Sequence, residues 1–229
     1  MTSERIHPVP ASLELRERVV RACRRMVDAG LSHGTSGNVS ARTADGMLIT
    51  PSGVPYDELS PGMLVLLPLD AGAPATAAGS TRPSTEWRLH ARVLRQRPDV
   101  GGIVHAHSPC ATALACVRRS IPAFHYMVAV AGGSDIPCTA YARFGSDELA
   151  RLAADALTTR DACLLANHGV VAAARDVEAA LDLALEVEAL AHQYVIALQA
   201  GDPVLLSDEQ MDEALAAFAD YRRGSSFGA

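Results

Sequence analysis

The run Gly102-Ile103-Val104-His105-Ala106-His107-Ser108-Pro109 constrains this chain more than any other part of it. The β-branched pair Ile103-Val104 favours a strand, and Ser108-Pro109 ends it, since proline has no N–H to give to a ladder. Side chains on a strand alternate between faces, so residues two apart share one. His105 and His107 therefore point the same way from a rigid, mostly apolar element. Two imidazoles held like that are half of a tetrahedral metal site, if the rest of the chain brings further ligands to them.

One absence removes whole classes of chemistry. Among 229 residues there is no lysine, and all 20 basic residues are arginine. A Schiff base to a substrate or to pyridoxal phosphate needs a lysine amine, and a Walker A phosphate loop needs one too. The formal charge of −6 argues against a nucleic-acid partner, which calls for a basic footprint. No apolar run is long enough to cross a bilayer, and residues 1–10 hold no signal-peptide core, so a cytoplasmic protein with no membrane partner is expected. The five cysteines, Cys23, Cys110, Cys116, Cys138 and Cys163, are odd in number and scattered, which suits small core residues better than disulfides or a thiolate metal site. The chain is 49% hydrophobic but only 4% aromatic, so its core is aliphatic. Its length suits one domain over 1–229, with flexible ends at 1–10 and 224–229.

The periodicities place the motifs. Apolar residues at helical spacing predict a helix over 13–29, capped by Ser12 and stopped by Gly30. Residues 34–40, Gly-Thr-Ser-Gly-Asn-Val-Ser, form a polar glycine loop able to hold an anion on main-chain N–H groups, although ordinary turns use the same residues. A hairpin over 39–42 and 47–50 leads to a second such loop, Thr50-Pro51-Ser52-Gly53, and then to a strand over 63–69. Residues 70–82 read as an exposed loop. A helix over 83–97, capped by Ser84 or Thr85, carries Glu86 in its first turn, where an acid suits the helix dipole. Further helices are expected over 109–117, 146–158 and 176–200, with a last one from Ser207 to Phe218 and Tyr221. Between them lie an extended stretch over 121–126, a tight turn at 131–134, and apolar strands at 162–166 and 170–174 around Asn167-His168-Gly169.

That last motif is the third place where an imidazole sits on a rigid apolar element. His90 falls four residues after Glu86, on one helical face, and reads as a capped or paired histidine. His105, His107 and His168 remain as a three-histidine set, and three ligands with an open position are what a catalytic zinc needs. A nearby Glu can move protons, and polar loops at 36–40, 52–53 and 84–85 can take a phosphate.

Taken in order, Thr35-Ser36-Gly37-Asn38-Val39-Ser40, Thr50-Pro51-Ser52-Gly53, Ser84-Thr85-Glu86, His105-Ala106-His107 and Asn167-His168-Gly169 resemble the class II aldolase/adducin superfamily, over residues 34–168. Residues 121–127, 131–133, 136–138 and 141–145 resemble its L-fuculose-1-phosphate aldolase branch more than its L-ribulose-5-phosphate 4-epimerase branch. The resemblance implies an α/β fold, a single domain with a central, mostly antiparallel β-sheet flanked by helices on both sides. It implies a homotetramer with active sites at subunit interfaces. It makes His105, His107 and His168 the ligands of one Zn2+ per subunit and Glu86 the acid/base, which also fills the open metal position before substrate arrives. The phosphate of a small-molecule sugar phosphate would sit on Gly37, Asn38, Ser52, Gly53, Ser84 and Thr85, where serine is more usual than Thr85. Tyr126 would come from a neighbouring subunit and protonate the aldehyde oxygen, and Phe144, Phe218 and Tyr221 would wall the aldehyde's apolar end.

This implied chemistry agrees with the residues. Retro-aldol cleavage leaves an enediolate, and a chain with no lysine has no iminium to stabilise it, so a Lewis acid must do so. The reaction expected is cleavage of L-fuculose 1-phosphate, or a closely related deoxyketose 1-phosphate, to dihydroxyacetone phosphate and L-lactaldehyde. The alternatives are epimerisation of L-ribulose 5-phosphate or dehydration of methylthioribulose 1-phosphate on the same site, and, more remotely, a non-catalytic adducin-like interaction module.

Overall fold

Residues 39–50 fold back on themselves, and the sheet grows outward from that hairpin. A computed structural model describes residues 10–70 and 81–222, the side chains of 221 and 222 excepted. The expected flexible ends, apart from Pro10, and most of the expected loop at 70–82 lie outside the described residues. Strand β1 (Asn38–Thr43) pairs antiparallel with β2 (Gly46–Ile49), Ser40 opposite Ile49. Strand β3 (Val65–Leu67) adds to β2, β4 (Gly102–Ala106) to the other edge of β1, and β6 (Gly169–Ala174) and β5 (Ala162–Leu165) follow. The order is β3-β2-β1-β4-β6-β5, and every neighbouring pair is antiparallel.

Strand alternation sorts the core into two layers. Val39, Ala41, Leu48, Val104, Ala106, Val170 and Ala172 face helices α1 (Leu13–Asp28), α3 (Pro109–Cys116) and α5 (Val177–Ala200). Met47, Ile49, Ile103, Cys163, Val171 and Ala173 face α2 (Trp87–Gln96) and α4 (Asp147–Ala156). The expected sheet with helices on both sides is therefore present. His105, two residues after Ile103, belongs to the α2 and α4 side. Helix α6 (Asp208–Arg222) packs on the 3-10 turn Tyr126–Ala131.

The caps follow the sequence closely. Ser12 Oγ accepts the Leu15 N–H, Ser146 Oγ the Leu149 N–H and Asp176 the Ala179 N–H. Gly30 and Leu31 close α1 by donating to the carbonyls of Val27 and Met26, the Schellman pattern. Ser207 and Gln210 hold each other reciprocally at the start of α6.

Three expectations need correcting. Helix α2 starts at Trp87, not near Pro83, and neither Ser84 nor Thr85 caps it. The reason is a bridge between Pro51 and Pro83: Ser84 donates its N–H to Thr50 and Ser52 donates its own to Arg82, which keeps 82–84 extended. Glu86 is thereby left at the N-cap position with its carboxylate free of the helix. The strand expected over 63–69 shrinks to Val65–Leu67, since Pro61–Met63 form a 3-10 turn. The stretch over 121–126 forms no strand: Ile121 makes an isolated bridge to Ile136, and Tyr126, just after the extended His125, already opens a helical turn.

Candidate active site

Strand β4 carries His105 at its end and His107 just past it, and the β5–β6 turn carries His168. Asn167, with φ of 55°, makes that turn in the left-handed region, which asparagine tolerates better than most residues. Gly169 then passes so close to β4 that a Cβ there would lie 2.4 Å from the Ala106 carbonyl and 3.0 Å from the His107 ring. The Asn-His-Gly and His-Ala-His motifs are thus one packing unit. The three rings stand edge to face, with centroids 4.8 to 5.0 Å apart, and one nitrogen of each lies within 4.8 Å of the others.

Glu86 closes the cluster. Its Oε2 lies 2.8 Å from His105 Nε2, and its Oε1 lies 3.6 Å from His168 Nε2. His105 is fully buried, and its Nδ1 lies 2.9 Å from the Val170 carbonyl. A carbonyl only accepts, so Nδ1 carries the hydrogen and Nε2 points inward. That Nε2 is also 3.1 Å from His107 Nε2. Imidazole lone pairs and a carboxylate meeting this closely need a shared proton or a cation between them. Glu86 Oε1 is moreover buried with no hydrogen-bond partner. The donor set, three imidazole nitrogens with an adjoining carboxylate, fits a divalent metal with one further position.

The charges agree. Burial works against an ionised Glu86, but His105 beside it, by charge and hydrogen bond whenever a proton is shared between them, with His168 and Asn38, holds the carboxyl well below the usual carboxylate range. Burial pulls His105 down, and Glu86 outweighs that and raises it. Burial, then the charge of His105, push His107 and His168 down to about 4, so both present neutral rings.

A cleft of about 330 Å³ opens beside the cluster. Gly37, Asn38, Ser52, Gly53, Ser84, Thr85, Glu86, His107, His168 and Phe144 all line it, so the two glycine loops, the Ser-Thr-Glu turn and two of the three histidines converge there. Gly37 is in the left-handed region at φ 79°, and a Cβ on it would meet the His105 carbonyl at 2.6 Å. Thr35, Ser36, Tyr141 and Asn167 line it as well. Ser36 belongs to the loop expected at 36–40, whereas Thr35, Tyr141 and Asn167 carry no expected role, although each lies in a motif that does.

Two expected residues lie elsewhere in the chain. Tyr126 is 54% exposed, stacks on Phe218 at a ring separation of 6.3 Å, and neither lines this chain's own cleft. Phe218 instead borders a second hollow with Met127, Val130 and Arg97. Tyr221 is in α6, and its side chain is outside the described residues. His90 is paired as expected, with Ser40 and Asn38. Glu188, which holds the start of α3 just after His107, had no local signal at all. Among the described residues, no helix is long and apolar enough to cross a membrane.

The model of the family described as Class II Aldolase and Adducin N-terminal domain matches residues 17–195. A Rhodospirillum rubrum protein named 5-methylthioribulose-1-phosphate/5-deoxyribulose-1-phosphate aldolase is 47% identical over 209 residues, covering 91% of this chain and 93% of its own. The L-fuculose phosphate aldolase of Escherichia coli K12 is 44% identical over 209 residues, covering 91% and 95%. A solved structure of L-fuculose 1-phosphate aldolase superposes with a TM-score of 0.85 at 37% identity, covering 91% of this chain and 97% of that one.

Proposed function

This chain belongs to the class II aldolase and adducin family as a metal-dependent carbon–carbon lyase, and from that premise we propose that it cleaves a deoxyketose 1-phosphate, L-fuculose 1-phosphate or a close relative of it, to dihydroxyacetone phosphate and a short aldehyde, L-lactaldehyde for fuculose. The observation that carries the reading is the histidine cluster with the buried Glu86 carboxylate on it, at the edge of a cleft lined by hydroxyls and glycines. His105, His107 and His168 would hold one Zn2+, which supplies Lewis-acid polarisation of the substrate carbonyl.

The chain's own residues do the rest. Gly37, Asn38, Ser52, Gly53, Ser84 and Thr85 take the phosphate on N–H and hydroxyl groups, which suits a cleft whose lining, among the described residues, holds no lysine or arginine. Glu86 removes the proton next to the carbonyl in the synthetic direction and returns it in cleavage. Tyr126 gives a proton to the aldehyde oxygen in synthesis and takes it back in cleavage. Because Tyr126 and Phe218 stack together away from their own cleft, we assign them, with Tyr221, to the cleft of a neighbouring subunit in a homotetramer. Phe144, 59% exposed on the cleft, meets the aldehyde's apolar end from this subunit.

The name of the Rhodospirillum rubrum relative supports a second substrate for the same chemistry, a 5-methylthio or 5-deoxy ribulose 1-phosphate. The test is release of dihydroxyacetone phosphate from L-fuculose 1-phosphate, 5-deoxyribulose 1-phosphate and 5-methylthioribulose 1-phosphate, with L-ribulose 5-phosphate as control. Release from a 1-phosphate that is abolished by EDTA and restored by zinc supports the reading. A C4 epimer or a dehydrated product without triose phosphate overturns it. Glu86→Gln should lower cleavage by about 100-fold or more with metal retained, and light scattering should give four chains per particle.

A further inference from the structure

His90 is fully buried on α2, one turn beyond Glu86, and the chemistry above gives it no task. Its surroundings decide its state. The Glu86 carboxylate only accepts hydrogen bonds, so the Asn38 amide, 3.5 Å from Glu86 Oε2 through Nδ2, must turn its NH2 that way. Its carbonyl oxygen Oδ1 then faces His90 Nε2 at 2.5 Å. An amide oxygen accepts, so Nε2 carries the hydrogen, and Nδ1 is left to accept from the Ser40 hydroxyl at 2.7 Å. One line of oriented bonds runs from Ser40 through His90 and Asn38 to Glu86, and Glu86 meets His105. Both polar partners of His90 stand on β1, and Asn38 is opposite His105 in the ladder, so the line is braced by the sheet at both ends.

We propose that His90 is a positioning residue for the aldol cleavage: it locks the Asn38 amide in the one orientation that puts an N–H on Glu86, and so holds that carboxylate on the histidine cluster. The inference rests on the reading of Glu86 as acid/base. It changes the reading of Asn38, whose side chain is 4% exposed and committed to the protein at both ends. With a flipped amide, an oxygen would face the carboxylate and push it away.

Glutamine can present an NH2 near the place of Nε2, whereas asparagine reaches only the place of Nδ1. In zinc-loaded enzyme, His90→Asn is expected to lower kcat about 10- to 100-fold with KM kept, as for other residues that orient a metal site. His90→Gln should restore most of it. Ser40→Ala, a gentler change, should move kcat the same way by less. Crystal structures of zinc-loaded wild type and His90→Asn should show Glu86 leaving Asn38 in the variant. The proposal is overturned if Asn38 and Glu86 keep their arrangement in His90→Asn, if His90→Gln is no better than His90→Asn, or if KM rises while kcat holds. Wild-type protein inactive on every deoxyketose phosphate would overturn the catalytic reading instead, and the crystal comparison would still decide the positioning.

Discussion

Glu188 accepts the backbone N–H of Cys110 at 2.8 Å, across 78 positions of sequence. Its second oxygen takes the Ala111 N–H at 2.9 Å. The N-cap residue Ser108 makes no side-chain cap bond, so a carboxylate from α5 caps α3 in its place and suits the helix dipole there. Since α3 starts two residues after His107, this cap also steadies one histidine of the cluster. Glu188→Ala should cost about 1–2 kcal/mol of stability in urea unfolding. It should also let EDTA strip the metal faster than from wild type.

Tyr56 is buried and donates its hydroxyl to the Gly37 carbonyl at 2.7 Å. It thereby fixes the first glycine loop of the cleft. Losing one such bond is worth about 1 kcal/mol. Tyr56→Phe should raise KM for the phosphorylated substrate about fivefold, the same energy expressed as affinity, with kcat kept. Gly37→Ala should do more damage, because its Cβ would collide with the backbone of His105 and displace a ligand. Steady-state kinetics and metal content separate the two.

The metal ligands should not be equivalent. His107→Ala and His168→Ala each remove one mostly buried imidazole of the cluster, so metal content and activity should fall together. His105→Ala also strips Glu86 of its 2.8 Å partner in a buried setting. Breaking a buried pair costs about 3–5 kcal/mol, so this variant should be the least stable of the three in urea unfolding.

His90 should set part of the acid limit. Burial, with the charge of His105 and against that of Glu86, pushes it down to about 3, so the folded protein keeps it neutral. The unfolded chain takes up that proton near pH 6.5, hence stability falls as pH drops from about 6.5 toward 3, by about 1.4 kcal/mol per pH unit. Urea unfolding of EDTA-treated protein at pH 6 and pH 4.5 should show a steeper loss for wild type than for His90→Gln. Equal slopes would mean that His90 titrates alike in both states.

Motifs with a short-range cause were readable in advance. The strand Gly102–Ala106, the caps Ser12 and Ser146, the hairpin and the three histidines each follow from neighbours a few residues away. The start of α2 was not, because a bridge from Pro51, 32 residues upstream of Pro83, keeps 82–84 extended and delays the first helical turn to Trp87. Nor was Glu188, whose carboxylate reads locally as one more acid on an amphipathic helix. Tyr141 sat inside a recognised motif without any sign that it would border the cleft.

The sequence by itself determined the chemistry available: imidazoles at strand spacing, a carboxylate after Ser-Thr, glycines where the backbone must come close, and no amine for an iminium. Composition and local alternation suffice for that, since they fix which groups exist and which way each faces on its own element. Only the tertiary structure decided that Glu86 leaves its helix to meet His105, and that His90 and Asn38 stand behind it. Those contacts join β1, α2 and β4, and the free energy that holds them comes from packing both faces of one sheet rather than from any single segment.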